Sequence, residues 1–234
     1  EDRVVATLND FFDGLLVHAD PRVVTLDSTF GPIEQLEVPI RYTGFITPRP
    51  RHKARSKMRA QLGLGIDDTL IVASIGSGSV GSHLLEAVAA AASCGNTPGN
   101  FHIHLFTGPY CPTEVIDRLH SAAGQNLVVE QFTDHFIDWL AAADLSVSMA
   151  GYNTSMNILA AGVPALMLPF DQNREQRLRV ERLIADHRVK ILERMDLAPV
   201  RLADLIVSQA QRSRYHTGLD LDGAHRTVSI IERL

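Results

Sequence analysis

Three glycines in one short segment are the first residues of this sequence that suggest chemistry. Gly76, Gly78 and Gly81 occur in G-S-G-S-V-G, between an apolar run at 70–75 and a helical stretch. Glycines let the backbone approach an anion closely, and a helix N-terminus offers free N–H groups and the positive end of its dipole. A tight turn without a ligand is the simpler explanation, but the strand before and the helix after favour phosphate contact. The expected contacts are Gly76, Ser77, Gly78 and Ser79.

The glycine segment does not indicate a nicotinamide dinucleotide site. Such a site needs an acidic residue near the end of the second strand to hold the ribose. The second strand is predicted at 101–106, and the next acidic residue, Glu114, already lies in the following helix. An oxidoreductase function is therefore disfavoured.

A second segment, S-M-A-G-Y-N-T-S-M-N at 148–157, leaves a predicted strand and enters a short helix. Its glycine, hydroxyl and amide groups suit an oxyanion, because side-chain donors and backbone N–H groups converge at such an elbow. Ordinary N-capping by Asn153 or Thr154 is the alternative. Because the elbow follows the end of a strand, binding is favoured, and the expected contacts are Ser148, Ala150, Gly151, Asn153 and Thr154.

A third segment, F-D-Q-N-R-E-Q at 170–176, also follows a predicted strand and enters a helix. Its polar side chains suit hydrogen bonds to hydroxyl groups, and the candidates are Gln172, Asn173, Glu175 and Gln176. Asn173 and Gln176 also have the spacing of a capping box, which is the competing explanation.

These segments are positioned by an alternation of apolar strands and helices after residue 60. Strands are predicted at 70–75, 101–106, 126–131, 145–149, 165–168 and 189–192, and helices near 81–93, 113–123, 135–143, 153–161 and 173–187. Strands that are apolar on both faces and alternate with helices indicate an α/β fold, a doubly wound, parallel Rossmann-like sheet. With strand order 3-2-1-4-5-6, a ligand is expected beside the loops after residues 75, 131 and 149.

The first 60 residues have a different character. Residues 1–46 hold two short apolar runs and look like the end of a second domain, and Pro48 and Pro50 mark a linker. The expected organisation is an incomplete acceptor-side domain at 1–46, a basic linker and helix start at 47–59, a ligand-binding domain at 60–220 and a C-terminal helix at 221–234.

The linker is strongly basic. Its six basic residues, with no acidic residue among them, are Arg49, Arg51, Lys53, Arg55, Lys57 and Arg59. The segment is either a solvated linker or a contact for anionic lipid headgroups or a phosphorylated lipid acceptor.

Taken together, the elbow, its helix, the strand entry A-A-G-V-P and the loop ending in E-Q resemble the donor-binding half of GT-B glycosyltransferases of family 28. This family includes the bacterial enzyme that adds N-acetylglucosamine to the lipid-linked peptidoglycan precursor. The resemblance covers about residues 41–234 and is strongest at 144–177. It implies an enzyme that transfers a hexosyl group from a nucleotide-diphosphate sugar, of the UDP-N-acetylhexosamine type, to an acceptor hydroxyl. The resemblance further implies a transfer that needs no metal or other cofactor and that inverts the anomeric carbon.

The resemblance also implies a role for each candidate segment. For the diphosphate, the implied contacts are residues 76–81 together with Ser148, Gly151 and Thr154. For the base, they are Gln131, Phe132 and Thr133. Gln176 is the implied contact for the sugar. Asn157 stands where the family often has a glutamate that holds the ribose, and Arg177 stands where it has a second glutamine. No residue is assigned as the catalytic base, so the chain alone is expected to bind donor and transfer little. A donor-binding subunit of a split glycosyltransferase and a nucleotide-sugar epimerase are the alternatives.

Composition excludes several other classes. A net charge of −5 over 234 residues gives no global attraction to nucleic acid. No apolar stretch approaches the ~20 residues that span a bilayer. Cys94 and Cys111 lie far apart and belong to no cysteine–histidine cluster, so neither a metal site nor a disulfide framework is expected. The expected location is the cytoplasm, with peripheral contact at the inner face of the membrane through residues 49–59.

Overall fold

The computed structural model describes residues 2–170, 181 and 188–233. The chain forms two compact units. The terminal unit joins Glu1–Thr47 to Gly218–Leu234, and the sheet unit is Pro48–Thr217. The sheet unit therefore begins inside the segment predicted as a linker, and the C-terminal helix belongs to the same unit as the N-terminal segment.

The bounds of the regular elements in the described part of the chain are as follows. The strands are Leu15–Val17 (β1), Ile40–Tyr42 (β2), Thr69–Ser74 (β3), Phe101–Phe106 (β4), Leu127–Glu130 (β5), Leu145–Met149 (β6), Ala165–Leu168 (β7) and Val189–Ile191 (β8). The helices are Asp2–Phe11 (α1), Ala54–Gln61 (α2), Ser82–Ser93 (α3), Thr113–Ala122 (α4), Phe136–Ala142 (α5), Tyr152–Ala161 (α6), Pro199–Ala210 (α7) and Gly223–Ile231 (α8).

A six-stranded sheet forms the centre of the sheet unit. All its strands are parallel, in the order β5-β4-β3-β6-β7-β8. Numbered from β3, this is the predicted order 3-2-1-4-5-6, so the doubly wound α/β fold is confirmed. The order reverses between β3 and β6, and a parallel sheet opens a crevice at the carboxyl ends of its strands at that point.

Both faces of the sheet are covered by helices. Ile71 and Ala73 of β3 pack in the core that α3, α4 and α7 cover, whereas Trp139 of α5 packs against the rings of His104 and Phe106. Strands buried on both faces explain the continuous apolar runs in the sequence. Helix α7 was not predicted, and the helix predicted at 173–187 lies outside the described residues apart from Glu181.

The terminal unit contains a second, much smaller sheet. Strands β1 and β2 pair in parallel, with Leu15 beside Ile40 and Val17 beside Tyr42, and none of their six residues is buried. Close by, the buried Asp20 carboxylate accepts hydrogen bonds from Arg22, which lowers the pKa of Asp20 to about 2.

Half of the basic residues predicted in the linker are used inside the sheet unit. The Arg51 guanidinium pairs with Asp138 of α5, and Arg55 and Arg59 of α2 pair with Asp144 at 2.6 and 2.9 Å. These ion pairs hold α2 against α5. The other three basic side chains, Arg49, Lys53 and Lys57, are exposed. Membrane contact through this segment stays a prediction, and it now rests on the three exposed basic side chains.

None of the described helices combines the length and the apolar composition needed to cross a membrane.

Candidate functional site

The candidate site lies where the carboxyl ends of β3 and β6 diverge. Ser74 and Ser148 are register partners at these two strand ends, and both side chains are buried. Neither hydroxyl has a hydrogen-bond partner among the described residues. A buried hydroxyl without a partner costs free energy unless a water or a ligand satisfies it. Ser148 was predicted, but Ser74 was missed, although a serine closing an otherwise apolar strand was a usable signal.

The glycine loop after β3 is built largely for packing. Gly76, Gly78 and Gly81 have φ of +69°, +90° and +90°. A Cβ at Gly78 would collide with the Thr107 carbonyl oxygen, and one at Gly81 would lie 2.7 Å from Met149 Cγ. Only at Gly76 is the space open, with no described atom within 4 Å. The loop therefore needs two of its glycines for its own fold, whether or not an anion binds.

The same loop opens α3 and leaves polar groups at the surface. Gly81 is the N-cap, and none of the described side chains caps the helix. The hydroxyls of Ser77 and Ser79 lie 3.3 Å apart and are exposed. Free backbone N–H groups and two hydroxyls are thus available at this end of the sheet.

The loop after β5 is tied to the glycine loop through a third loop at 107–111. Gly108 N donates to the Gln131 carbonyl oxygen at 2.8 Å, and Tyr110 N donates to that of Ser77 at 2.8 Å. Phe132 presents an aromatic side chain that is 64% exposed. Thr133 Oγ1 accepts a hydrogen bond from His135 N, so this hydroxyl also shapes the turn into α5. The structure therefore brings residues 76–79 and 131–133 to one side of the switch point.

The elbow after β6 leaves the start of α6 uncapped by any described side chain. The N-cap residue is Gly151, with φ −65° and ψ 154°, rather than Asn153 or Thr154. N-capping therefore does not explain why those two residues are present. A Cβ at Gly151 would have no described atom within 4 Å, so the described residues leave room in front of the first turn. The positive end of the dipole of this ten-residue helix favours an anion there.

The remaining predicted residues divide into two groups. Ala150 is buried behind the elbow, Asn153 is exposed, and Thr154 and Asn157 are half-buried on α6. The positions of Gln172, Asn173, Glu175, Gln176 and Arg177 lie outside the described residues.

An aromatic cluster lies beside the strand that leads into the loop at 131–133. The His104 ring lies 4.6 Å from that of Trp139, and its Nδ1 is 3.5 Å from a Glu130 carboxylate oxygen. Burial, together with the charge of His102, lowers the pKa of His104 to about 4. Burial also raises the pKa of Glu130. Within the described ranges, no group of three or more histidine, cysteine or acidic residues is placed to hold a metal ion.

Comparisons with known proteins agree on this region. Residues 72–217, most of the sheet unit, match the family described as "Glycosyltransferase family 28 C-terminal domain". A curated relative in Vibrio cholerae serotype O1 is "UDP-N-acetylglucosamine--N-acetylmuramyl-(pentapeptide) pyrophosphoryl-undecaprenol N-acetylglucosamine transferase". It is 29% identical over 154 residues, which are 62% of this chain and 43% of the relative. The protein of the same name in Mycobacterium sp. is 27% identical over 182 residues, 77% of this chain and 47% of the relative.

Solved structures show the same architecture. Acinetobacter baumannii MurG superposes with a TM-score of 0.63 at 18% identity, covering 98% of this chain and 62% of that one. The calicheamicin glycosyltransferase CalG4 superposes with a TM-score of 0.59 at 17% identity, covering 90% of this chain and 47% of that one. At such identities the likeness shows the fold alone. The chain spans less than half the length of the two curated relatives.

Proposed function

The chain belongs to glycosyltransferase family 28, whose C-terminal domain it matches over residues 72–217, and we propose that it binds a nucleotide-diphosphate sugar as the donor half of a sugar-transferring enzyme. The observation that carries the proposal is the start of α6, which the described side chains leave uncapped and open at the switch point of a doubly wound sheet. The donor is of the UDP-N-acetylhexosamine type, because the curated relatives are named for UDP-N-acetylglucosamine.

Each part of the donor has a place in this proposal. The diphosphate lies at the start of α6, near Ser148 and Gly151, with the glycine loop on its other side. The base lies against the exposed ring of Phe132, because an aromatic face can stack on any base. The ribose is bound by the Asn157 amide. The sugar is bound by Gln172, Asn173, Glu175 and Gln176, and the first contact to probe there is Gln176.

The chemistry proposed for this site is displacement at the anomeric carbon. An acceptor hydroxyl oxygen forms a bond to that carbon while the bond to the diphosphate oxygen breaks, and the hydroxyl proton passes to a base. Negative charge grows on the departing nucleotide diphosphate, and the helix N-terminus with its backbone N–H groups stabilises that charge without a metal. The base is contributed by an acceptor-side domain, and the protein on its own transfers little.

The terminal unit supports a role for an acceptor-side domain. Parallel sheets are normally covered on both faces, and a lone two-stranded sheet is barely stable in water. We therefore propose that this parallel pair of three-residue strands, none of whose residues is buried, belongs to a larger sheet whose other strands lie in the domain that binds the acceptor. The acceptor is lipid-linked, as in the name of the curated relatives, and Arg49, Lys53 and Lys57 draw the protein to the membrane that holds it.

Thermal-shift and calorimetric titrations test the donor site. The ligands are UDP, UDP-N-acetylglucosamine, ADP, GDP and dTDP, each with and without EDTA. We expect UDP and its sugar to stabilise the chain by ~2.7 kcal/mol at 100 times their Kd. Chelation is expected to leave this stabilisation unchanged. Absence of binding by all five ligands would remove the donor site, and a need for magnesium would remove the metal-free mechanism.

A further inference from the structure

Arg214 binds the C-terminal ends of two helices at once. Its Nη1 donates to the carbonyl oxygen of Ala143, the C-cap of α5, at 2.6 Å, and its Nη2 donates to that of Ala161, the last residue of α6, at 2.5 Å. The last carbonyl groups of a helix have no partner within the helix. One planar guanidinium with five donors therefore serves both helices.

The next residue fixes the end of α6 a second time. Tyr215 N donates to the Gly162 carbonyl oxygen at 3.0 Å, and the Tyr215 carbonyl oxygen occupies the space that a Cβ at Gly162 would need. Gly162 is the C-cap of α6, with φ +64°. Burial and the neighbouring charge of Arg55 lower the pKa of Arg214 to about 10, which still leaves it charged at neutral pH.

The two helices held by Arg214 are the two that begin at the candidate site. Helix α5 starts at Phe136, just after the base loop at 131–133, and α6 starts at Tyr152, just after the elbow at 148–151. A helix of ten residues is a stiff rod about 15 Å long. Helix α6 has this length and α5 has seven residues, and the two helices pack against each other. Holding their C-terminal ends together therefore limits how far their N-terminal ends can separate.

We propose that Arg214 is a positioning residue that sets the spacing between the base loop and the diphosphate elbow, a role that rests on the proposed function above. A nucleotide diphosphate must contact both places at once, so its affinity depends on their spacing. A nucleoside alone or inorganic diphosphate uses only one place. Loss of the clamp therefore weakens the whole nucleotide selectively, by removing the coupling between two subsites.

The test compares UDP, uridine and inorganic diphosphate by NMR and calorimetric titration. The variants are Arg214→Met, which removes both bonds, and Arg214→Lys, which keeps the charge on a compact group that lacks the guanidinium fork. Arg55→Met is the matched control. Arg55 donates to the Ala142 and Ala143 carbonyl oxygens at the end of α5, but among the described residues it donates to no group of α6. We expect Arg214→Met to weaken UDP roughly 10-fold, with uridine and diphosphate changed less than about twofold. Arg55→Met should show no selective loss of UDP.

The outcomes separate this proposal from the donor site itself. Equal weakening of all three probes in Arg214→Met, or the same UDP-selective loss in Arg55→Met, would overturn the positioning role while the donor site stands. A wild-type protein that binds none of the probes would overturn the donor site, and the positioning role with it. If Arg214→Met does not fold, Arg214→Lys decides: unchanged affinity for all three probes would overturn the clamp, and a UDP-selective loss would support it.

Discussion

At the scale of single residues, glycines near the site serve two different purposes. Gly151 has an ordinary negative φ and room for a Cβ among the described residues, whereas Gly78 has a positive φ and is enclosed by the backbone of the loop at 107–111. A side chain is therefore compatible with the fold at Gly151 but not at Gly78. Two substitutions distinguish binding from packing.

Gly151→Asp is expected to abolish binding of UDP while leaving the fold intact. Aspartate is a good N-cap residue, so the melting temperature should stay the same or rise slightly. Its carboxylate would lie beside the diphosphate, and two like charges about 4 Å apart repel by ~4 kcal/mol at a protein surface, which is more than 100-fold in Kd. Calorimetry on this variant and on the uncharged control Gly151→Ala measures the effect. Unchanged affinity in the aspartate variant would remove the elbow from the site.

Gly78→Ala is expected to lower stability. The new Cβ would collide with the Thr107 carbonyl oxygen and lie 2.7 Å from Cys111 N, in a backbone conformation that L-residues rarely adopt. We expect a loss of about 2 kcal/mol in the free energy of unfolding, measured by urea denaturation. Gly76→Ala is the matched control, because it shares the positive φ but has open space around it. Equal losses in the two variants would show that backbone conformation, not loop packing, sets the cost.

His104 is expected to make stability fall between pH 6.5 and pH 4. Its pKa is about 4 in the folded protein, against an ordinary value of 6.5. Between these values the unfolded chain takes up a proton that the folded chain excludes, so unfolding becomes easier as the pH falls. The two pKa values correspond to at most about 3 kcal/mol. His104→Phe, which keeps a ring beside Trp139, should flatten this part of the curve of unfolding free energy against pH. A slope equal to that of the wild type would assign the effect to other groups.

At the scale of elements, α2 carries two sets of basic residues with different uses. Arg55 and Arg59 both form ion pairs with Asp144, which also accepts a hydrogen bond from Leu70 N at the start of the central strand. Lys53 and Lys57 are exposed, like Arg49 before the helix. The two sets alternate along the sequence because they lie on different faces of the helix. One face forms ion pairs with the rest of the sheet unit, and the other is exposed to solvent.

Replacing the available set is expected to weaken membrane binding without unfolding the protein. The triple change of Arg49, Lys53 and Lys57 to alanine should reduce partition onto anionic vesicles by roughly 10- to 100-fold, since each basic residue contributes up to ~1 kcal/mol at such a surface.

Asp144→Asn is the contrasting variant. It leaves Arg59, a largely buried side chain, without its charge partner, and should cost about 3 kcal/mol of stability. Vesicle sedimentation and thermal melts measure the two effects, and wild-type binding by the triple variant would end the membrane proposal.

Most strands and helices were predictable from the sequence alone. All six strands of the large sheet were placed within one residue of their observed ends, because most of them are largely apolar, as expected of strands covered on both faces. Helix α7 was missed, although Pro199 stands at its first position and Leu202 and Ile206 point into the core. The packing of Gly78 against Thr107 and the two-helix contact of Arg214 join residues distant in sequence, and no local pattern records such contacts.

At the scale of the whole molecule, the two units differ in how well their sheets are protected. The large sheet has six strands with a core on each face, whereas the terminal unit has two parallel strands of three half-buried or exposed residues. Within the terminal unit, the Asp20 carboxylate accepts hydrogen bonds from Arg22 and from Asp220 N. Local stability follows buried apolar contact, so the two sheets should open with different free energies.

Hydrogen exchange on the isolated chain should therefore show two classes of strand amides that differ in exchange rate. Amides of Leu15–Val17 and Ile40–Tyr42 should exchange by local opening, at least about 100-fold faster than those of β3 and β6, a difference of about 3 kcal/mol in opening free energy. Asp20→Asn should accelerate the first class alone, because it removes the charge that holds Arg22. If an acceptor-side domain completes the small sheet, its addition should slow β1 and β2 and leave β3 and β6 unchanged. Equal protection in both sheets without any added domain would show that the two strands are a finished sheet, and would remove the structural argument for the missing partner.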